Sequence, residues 1–212
     1  MITSNVPSHF FTPCFVVLAS GTGTNFSALA QNFPHQVTGL VCNVQGAPVL
    51  KRAQAAAIPA LLVPHNAYPN RPSHDRAVVA ALAQLNPKVE LVVLAGYMRI
   101  LSPAFFEEIA KKLPGVRLVN LHPAHLSDYK GAHGYAAAVE RLAPRWGLSV
   151  HEVIPELDAG PLLASLEIPV APYLTAPELQ KFAQPFEHAL LVQAVTAVLR
   201  APPVLQEIKK AN

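Results

Sequence analysis

The chain has 212 residues, a net charge of +3, 51% hydrophobic residues and 14% charged residues. This composition excludes an intrinsically disordered chain and suits one domain with a large core. No apolar run reaches the roughly 18 residues needed to span a bilayer. The isolated basic pairs Lys51-Arg52 and Lys111-Lys112 fit solvated helix faces better than a nucleic-acid patch.

Residues 1–12, MITSNVPSHFFT, lack the basic start and apolar stretch of a secretory signal and read as a flexible N-terminal arm. That leaves 13–212 as a single domain, with the cytoplasm expected. Cys14 and Cys42 lack zinc-type spacing and read as buried, reduced thiols.

In chain order, PheValValLeuAla at 15–19 is short, apolar and β-branched, the pattern of a buried strand. A Gly-rich turn follows, then a helix from Asn25. Val37–Cys42 reads as a strand, Pro48–Ala57 as an Ala-rich helix and Ala60–Val63 as a short strand. Ser73–Leu85 reads as a helix with Ser73 as its N-cap. Leu91–Ala95 is a further buried strand, and Ser102-Pro103 opens a helix to about Lys112. Val116–His122 is the next strand. Leu148–Ile154 and Leu162–Val170 look like strands joined through a turn. A helix over Ala176–Arg200 closes the pattern, with Pro185 expected to kink or break it. Strands alternating with helices predict an α/β fold of Rossmann-like, doubly wound type: a mostly parallel sheet with helices on both faces and an antiparallel edge in the C-terminal third.

Ser20-Gly21-Thr22-Gly23-Thr24-Asn25 lies between the first strand and first helix. Free N–H groups and the positive dipole end make such a place an anion site. There is no Gly-Lys-Ser/Thr, and Phe26 stands where a dinucleotide fingerprint has its third glycine, so a monophosphate suits it best. An ordinary βα turn without a ligand is the other reading.

Asn120 and His122, two apart in a strand, project from one face. An amide and an imidazole side by side can donate to a developing oxyanion, and His can move a proton near neutral pH. Asp158, in the turn GluLeuAspAlaGlyPro at 156–161, is the candidate to stabilise the imidazolium. A structural His and an ordinary turn Asp are the competing reading. A metal site from His122, His125, His133 and Asp128 matches no standard zinc spacing, so no metal is expected.

Five segments together resemble the phosphoribosylglycinamide formyltransferase family: ValValLeuAlaSerGlyThrGlyThrAsn (16–25), LeuAlaGlyTyrMetArgIleLeuSerProAlaPhe (94–105), AsnLeuHisProAla (120–124), SerValHisGluVal (149–153) and GluLeuAspAlaGlyPro (156–161). The resemblance implies transfer of a formyl group from 10-formyltetrahydrofolate, as co-substrate, to the amine of glycinamide ribonucleotide in de novo purine biosynthesis. It implies Asn120, His122 and Asp158 as the catalytic trio, with His133 supporting it. It implies that Gly23, Thr24, Asn25, Gln184 and Glu187 hold the ribonucleotide. Arg71, Met98, Arg99, Ile100 and Leu101 correspond to residues on the folate side. Small-molecule partners only are expected, with neither nucleic acid nor membrane, in a monomer or homodimer.

The loop after His122, HisProAlaHisLeuSerAspTyrLysGly (122–131), departs from the family. Ser127 and Lys130 replace prolines and His125 replaces an apolar residue, so the loop is expected to be looser and more polar. Leu148 stands where the family favours a small polar residue. Pro185 falls between Gln184 and Glu187 and is expected to shift both. Two other readings follow: a folate-dependent formyltransferase acting on a different small amine, and a catalytically inactive ligand-binding homologue. The methionyl-tRNA formyltransferases share the Asn-x-His-Pro and Asp but carry an added C-terminal domain, which a chain ending at Asn212 is not expected to have.

Overall fold

The computed structural model describes residues 13–171 and 175–201; the expected N-terminal arm lies outside them. Seven strands form one sheet: β1 (Phe15–Ala19), β2 (Val37–Cys42), β3 (Ala60–Leu62), β4 (Leu91–Leu94), β5 (Arg117–His122), β6 (Arg145–Glu152) and β7 (Leu162–Pro169). Their order across the sheet is β3-β2-β1-β4-β5-β6-β7. β3 through β5 are mutually parallel, while β6 and β7 are antiparallel. The helices are α1 (Thr24–Asn32), α2 (Pro48–Ala55), α3 (Arg71–Leu85), α4 (Pro103–Lys112), α5 (Gly134–Glu140) and α6 (Ala176–Arg200).

The period of two along β1 divides the core. Phe15, Val17 and Ala19 face a layer that includes Phe26 and Leu29 of α1 and Leu179, Leu191 and Val195 of α6. Val16 and Leu18 face Val78, Val79 and Leu82 of α3 and Phe105 and Ile109 of α4. Both faces of the parallel strands are therefore covered, which is why these strands are continuously apolar rather than alternating. The chain moves outward from β1 to β2 and β3, then returns to the other side of β1 as β4. That reversal opens a crevice at the carboxyl ends of β1 and β4.

Several expected boundaries shift. α3 begins at Arg71, not Ser73, because Asn70 is its N-cap: the Asn70 side chain accepts from the Ser73 N–H at 2.9 Å. α2 stops at Ala55, followed by Ala57 at φ 54. β6 starts at Arg145 rather than Leu148, because Arg145–Gly147 continues the ladder against Glu167–Pro169. α6 runs unbroken through Pro185, so the expected break is absent. α5 and a 3-10 turn at His65–Ala67 were not expected. Among the described residues no helix is long and apolar enough to cross a membrane.

Candidate active site

The crevice is a cleft of about 650 Å³. At one side lies the loop into α1. Gly23 is the N-cap of α1 at φ 76, no side chain caps the helix, and its first turn borders the cleft. A Cβ at Gly23 would come within 2.4 Å of Val49 Cγ2, so the packing of α2 as well as the left-handed backbone requires glycine here. Arg52 braces the loop from α2, its Nε donating to the Thr22 carbonyl at 2.7 Å.

The loop after β4 forms an apolar wall with Tyr97, Met98, Ile100 and Leu101. Ser20 ties this wall to the end of β1. Its hydroxyl donates to Asn43 Oδ1 at 2.6 Å and accepts from the Met98 N–H at 2.8 Å. Met98 and Ile100 are exposed toward solvent, an apolar surface of the sort a planar ligand covers.

Asn120 and His122 end β5, and Asp158 follows β6. The Asp158 turn folds back so closely that a Cβ on Gly160 would meet the Glu152 carbonyl. Asp158 itself adopts φ 47, a region Asp tolerates better than most residues. Its side chain is 8% exposed. Asp158 Oδ2 accepts from the Gly131 N–H at 2.7 Å and lies 3.7 Å from His122 Nδ1. Asp158 Oδ1 lies 3.6 Å from His151 Nε2. One carboxylate therefore faces two imidazoles.

The two rings differ in tautomer. His122 Nε2 lies 2.9 Å from the Tyr129 carbonyl. A carbonyl only accepts, so Nε2 carries the proton, and a second proton on Nδ1 would point the imidazolium at Asp158. His151 Nδ1 donates to the Glu152 carbonyl at 2.8 Å, leaving Nε2 to accept from Asn120 Nδ2 at 3.2 Å. Burial lowers the His151 pKa below its ordinary value; the Glu152 carbonyl and Asp158 oppose that shift, and His122 adds to it. His151 is thus a neutral acceptor that fixes the Asn120 amide.

On the α6 side, Gln184 and Glu187 both line the cleft, so Pro185 does not remove either from it. The buried Glu187 carboxylate accepts from Asn25 Nδ2 at 3.0 Å and from the Tyr135 hydroxyl at 2.5 Å. Among the described residues, the buried Asn25 Oδ1 has no hydrogen-bond partner.

The cleft gathers Gly23, Thr24, Asn25, Met98, Arg99, Ile100, Leu101, Asn120, His122, His133, Asp158, Gln184 and Glu187. Arg71, exposed in the first turn of α3, is not in its lining. Sequence reasoning missed His151, Tyr135 and the backbone groups of Tyr129 and Gly131. The three histidines considered for a metal diverge: His125 turns to Glu167 at 3.7 Å while His122 is held by Tyr129. Among the described residues no cluster of three or more His, Cys, Asp or Glu is arranged to hold a metal ion.

The uncapped α1 terminus, the apolar wall and the amide–imidazole–carboxylate group share one cleft, and the chain belongs to the formyl transferase family, whose model matches residues 14–195. Within that family its relatives include phosphoribosylglycinamide formyltransferase of Escherichia coli (strain K12), 35% identical over 180 residues, covering 82% of both proteins. The trifunctional purine biosynthetic protein adenosine-3 of Gallus gallus is 34% identical over 187 residues, covering 86% of this chain. The match spans only 18% of that relative's length. A crystal structure of glycinamide ribonucleotide transformylase 1 from Symbiobacterium toebii superposes with a TM-score of 0.82 at 28% identity, covering 92% of this chain and 91% of the other.

Proposed function

We propose that this chain transfers the formyl group of 10-formyltetrahydrofolate to the amine of glycinamide ribonucleotide, a step of purine biosynthesis. The observation that carries this reading is the union in one cleft of the uncapped α1 terminus, the apolar wall after β4 and the Asn120–His122–Asp158 group. The first suits the nucleotide phosphate, the second the pterin, and the third the reacting carbonyl.

In this mechanism the amine nitrogen attacks the formyl carbon and a tetrahedral oxyanion forms. One N–H of the Asn120 amide is held by His151 and the other is left for the oxyanion. His122 supplies positive charge, and its Nε2–H can exchange the Tyr129 carbonyl for the oxyanion without leaving a donor unpaired. Asp158, aided by water, accepts the amine proton and returns it to the folate nitrogen as the carbon–nitrogen bond to folate breaks. Positioning carries much of the rate, since no covalent enzyme intermediate is required. Asn25 Oδ1, which has no hydrogen-bond partner among the described residues, is placed to accept from a hydroxyl of the ribonucleotide. The reading includes a cytoplasmic setting, small-molecule partners and action as a monomer or homodimer.

The test is a steady-state assay with 10-formyltetrahydrofolate and glycinamide ribonucleotide, followed by absorbance of the folate product. Turnover above roughly 1 s⁻¹, within the ordinary range of enzymes, is expected. Absence of turnover with this acceptor, alongside turnover with another amine, would overturn the assignment of substrate.

A further inference from the structure

The loop joining β5 to α5 carries two backbone groups that hold the catalytic pair: the Tyr129 carbonyl on His122 Nε2 at 2.9 Å and the Gly131 N–H on Asp158 Oδ2 at 2.7 Å. Residues 124–133 contain no proline and contribute no strand to the sheet, and Gly131 at φ 92 adds conformational freedom. Within the loop, the His125 carbonyl accepts from the Asp128 and Tyr129 N–H groups at 3.0 and 3.1 Å; side chains from outside the loop add to this turn.

The Tyr129 ring is gripped from two sides. It lies 6.2 Å from the buried Trp146 ring at an interplanar angle of 55°. The Arg141 guanidinium sits over both rings, 5.5 Å from the Tyr129 centroid and 5.9 Å from that of Trp146, within the range of cation–π attraction. Arg141 also donates to the Asp128 carbonyl at 3.3 Å. Trp146 anchors the start of the loop by donating from Nε1 to the Pro123 carbonyl at 2.6 Å. Beyond the ring, the Tyr129 hydroxyl donates to the Ala132 carbonyl at 2.6 Å. Tyr129 thus has its side chain in the grip and its carbonyl on the catalytic histidine.

We propose that Arg141 and Trp146, acting through the Tyr129 ring, are positioning residues that set the Tyr129 carbonyl and Gly131 amide and thereby the geometry of His122 and Asp158. Neither residue lines the main cleft. They line a separate cavity with His125 and Glu167, so neither side chain meets the cleft directly, although Trp146 also stands on β6, the strand that carries His151. The kinetic part of this inference rests on the formyl-transfer reading above.

The experiment compares wild type with Arg141→Ala, Arg141→Lys and Trp146→Phe in the full chain. Arg141 is exposed, so its replacement leaves the core intact. Trp146→Phe keeps an aromatic ring but removes the N–H donor and the second ring of a buried side chain, so thermal unfolding is measured beside it to separate loss of packing from loss of positioning. Two readouts are taken. One is the kcat and KM for glycinamide ribonucleotide. The other is the Gly131 amide proton in a two-dimensional NMR spectrum, where donation to a carboxylate places it downfield.

Arg141→Ala and Trp146→Phe are expected to lower kcat by about tenfold, a fraction of the hundredfold that an ångström-scale misplacement costs. KM should be nearly unchanged, the Gly131 proton should move upfield, and Arg141→Lys should recover most of both. A Gly131 proton that stays in place in Arg141→Ala and Trp146→Phe overturns the proposal, as does an unchanged kcat. If wild type fails to turn over this acceptor, the substrate assignment falls, and the Gly131 shift alone decides for or against the grip.

Discussion

The Asn120 side-chain amide donates to His151 Nε2 across 3.2 Å, and the two residues are direct register partners between antiparallel β5 and β6. Because His151 has already committed its Nδ1 proton to the Glu152 carbonyl, the hydrogen-bond logic fixes which way the Asn120 amide points. Replacing His151 with Phe removes that acceptor while keeping a ring. The expected result is a kcat reduced by roughly ten- to a hundredfold, as misplacement of an oxyanion donor predicts. The KM for the ribonucleotide should hold. Steady-state kinetics check this, and an unaltered kcat contradicts it.

The same burial makes a pH prediction. His151 has a pKa below its ordinary 6.5 in the folded protein, so below about that pH the unfolded chain binds a proton the folded one refuses. Stability is therefore full above the unfolded pKa and declines as pH falls from 6.5 toward the folded pKa, by at most about 1.4 kcal/mol per pH unit for one proton. Chemical denaturation between pH 7.5 and 5.5 should show a shallower decline in His151→Phe than in wild type. Parallel declines would refute the attribution to His151.

Gly23→Ala combines an unfavourable φ of 76 with a contact of 2.4 Å to Val49 Cγ2. Strain of this kind costs about 1–3 kcal/mol. Thermal unfolding should move to lower temperature, and the KM for the ribonucleotide should rise as the loop amides move. Adding Val49→Ala is expected to recover only part of the loss, since the backbone strain remains.

Tyr135→Phe removes the hydroxyl donor from one oxygen of Glu187. Burial first, and the Glu187 carboxylate second, push the Tyr135 pKa well upward, so the phenol remains a donor throughout the physiological range. A hydrogen bond to a charged group contributes about 1.5–3 kcal/mol. With Glu187 holding the ribonucleotide, the KM for that substrate should rise on the order of tenfold, with a smaller change in kcat. Measured KM for both substrates separates this from a general loss of fold, which would affect the folate as well.

The parallel half of the fold was legible because its strands are covered on both faces. Runs such as PheValValLeuAla and LeuValValLeu match strands buried on both faces of a sheet. The antiparallel edge was legible in kind but not in extent, since Arg145-Trp146-Gly147 lacks the apolar run and joins the sheet only through pairing with β7. α5 was missed because GlyTyrAlaAlaAlaValGlu spans only two turns and shows no clear periodicity. Asn120 and His122 share a face by strand geometry alone. His151 offered no comparable signal: one His in SerValHisGluVal reads as an ordinary strand residue until the β5–β6 register sets it opposite Asn120. The Tyr129 and Gly131 contributions come from backbone atoms, which leave no imprint on side-chain identity.

The central claim, that His122 works with Asn120 and Asp158 in formyl transfer, is tested most directly by His122→Ala in the steady-state assay. The account predicts a kcat lower by a factor on the order of 10² or more, with the KM for glycinamide ribonucleotide little changed because the α1 terminus and Glu187 remain in place. A kcat equal to that of wild type would contradict it and remove His122 from the mechanism.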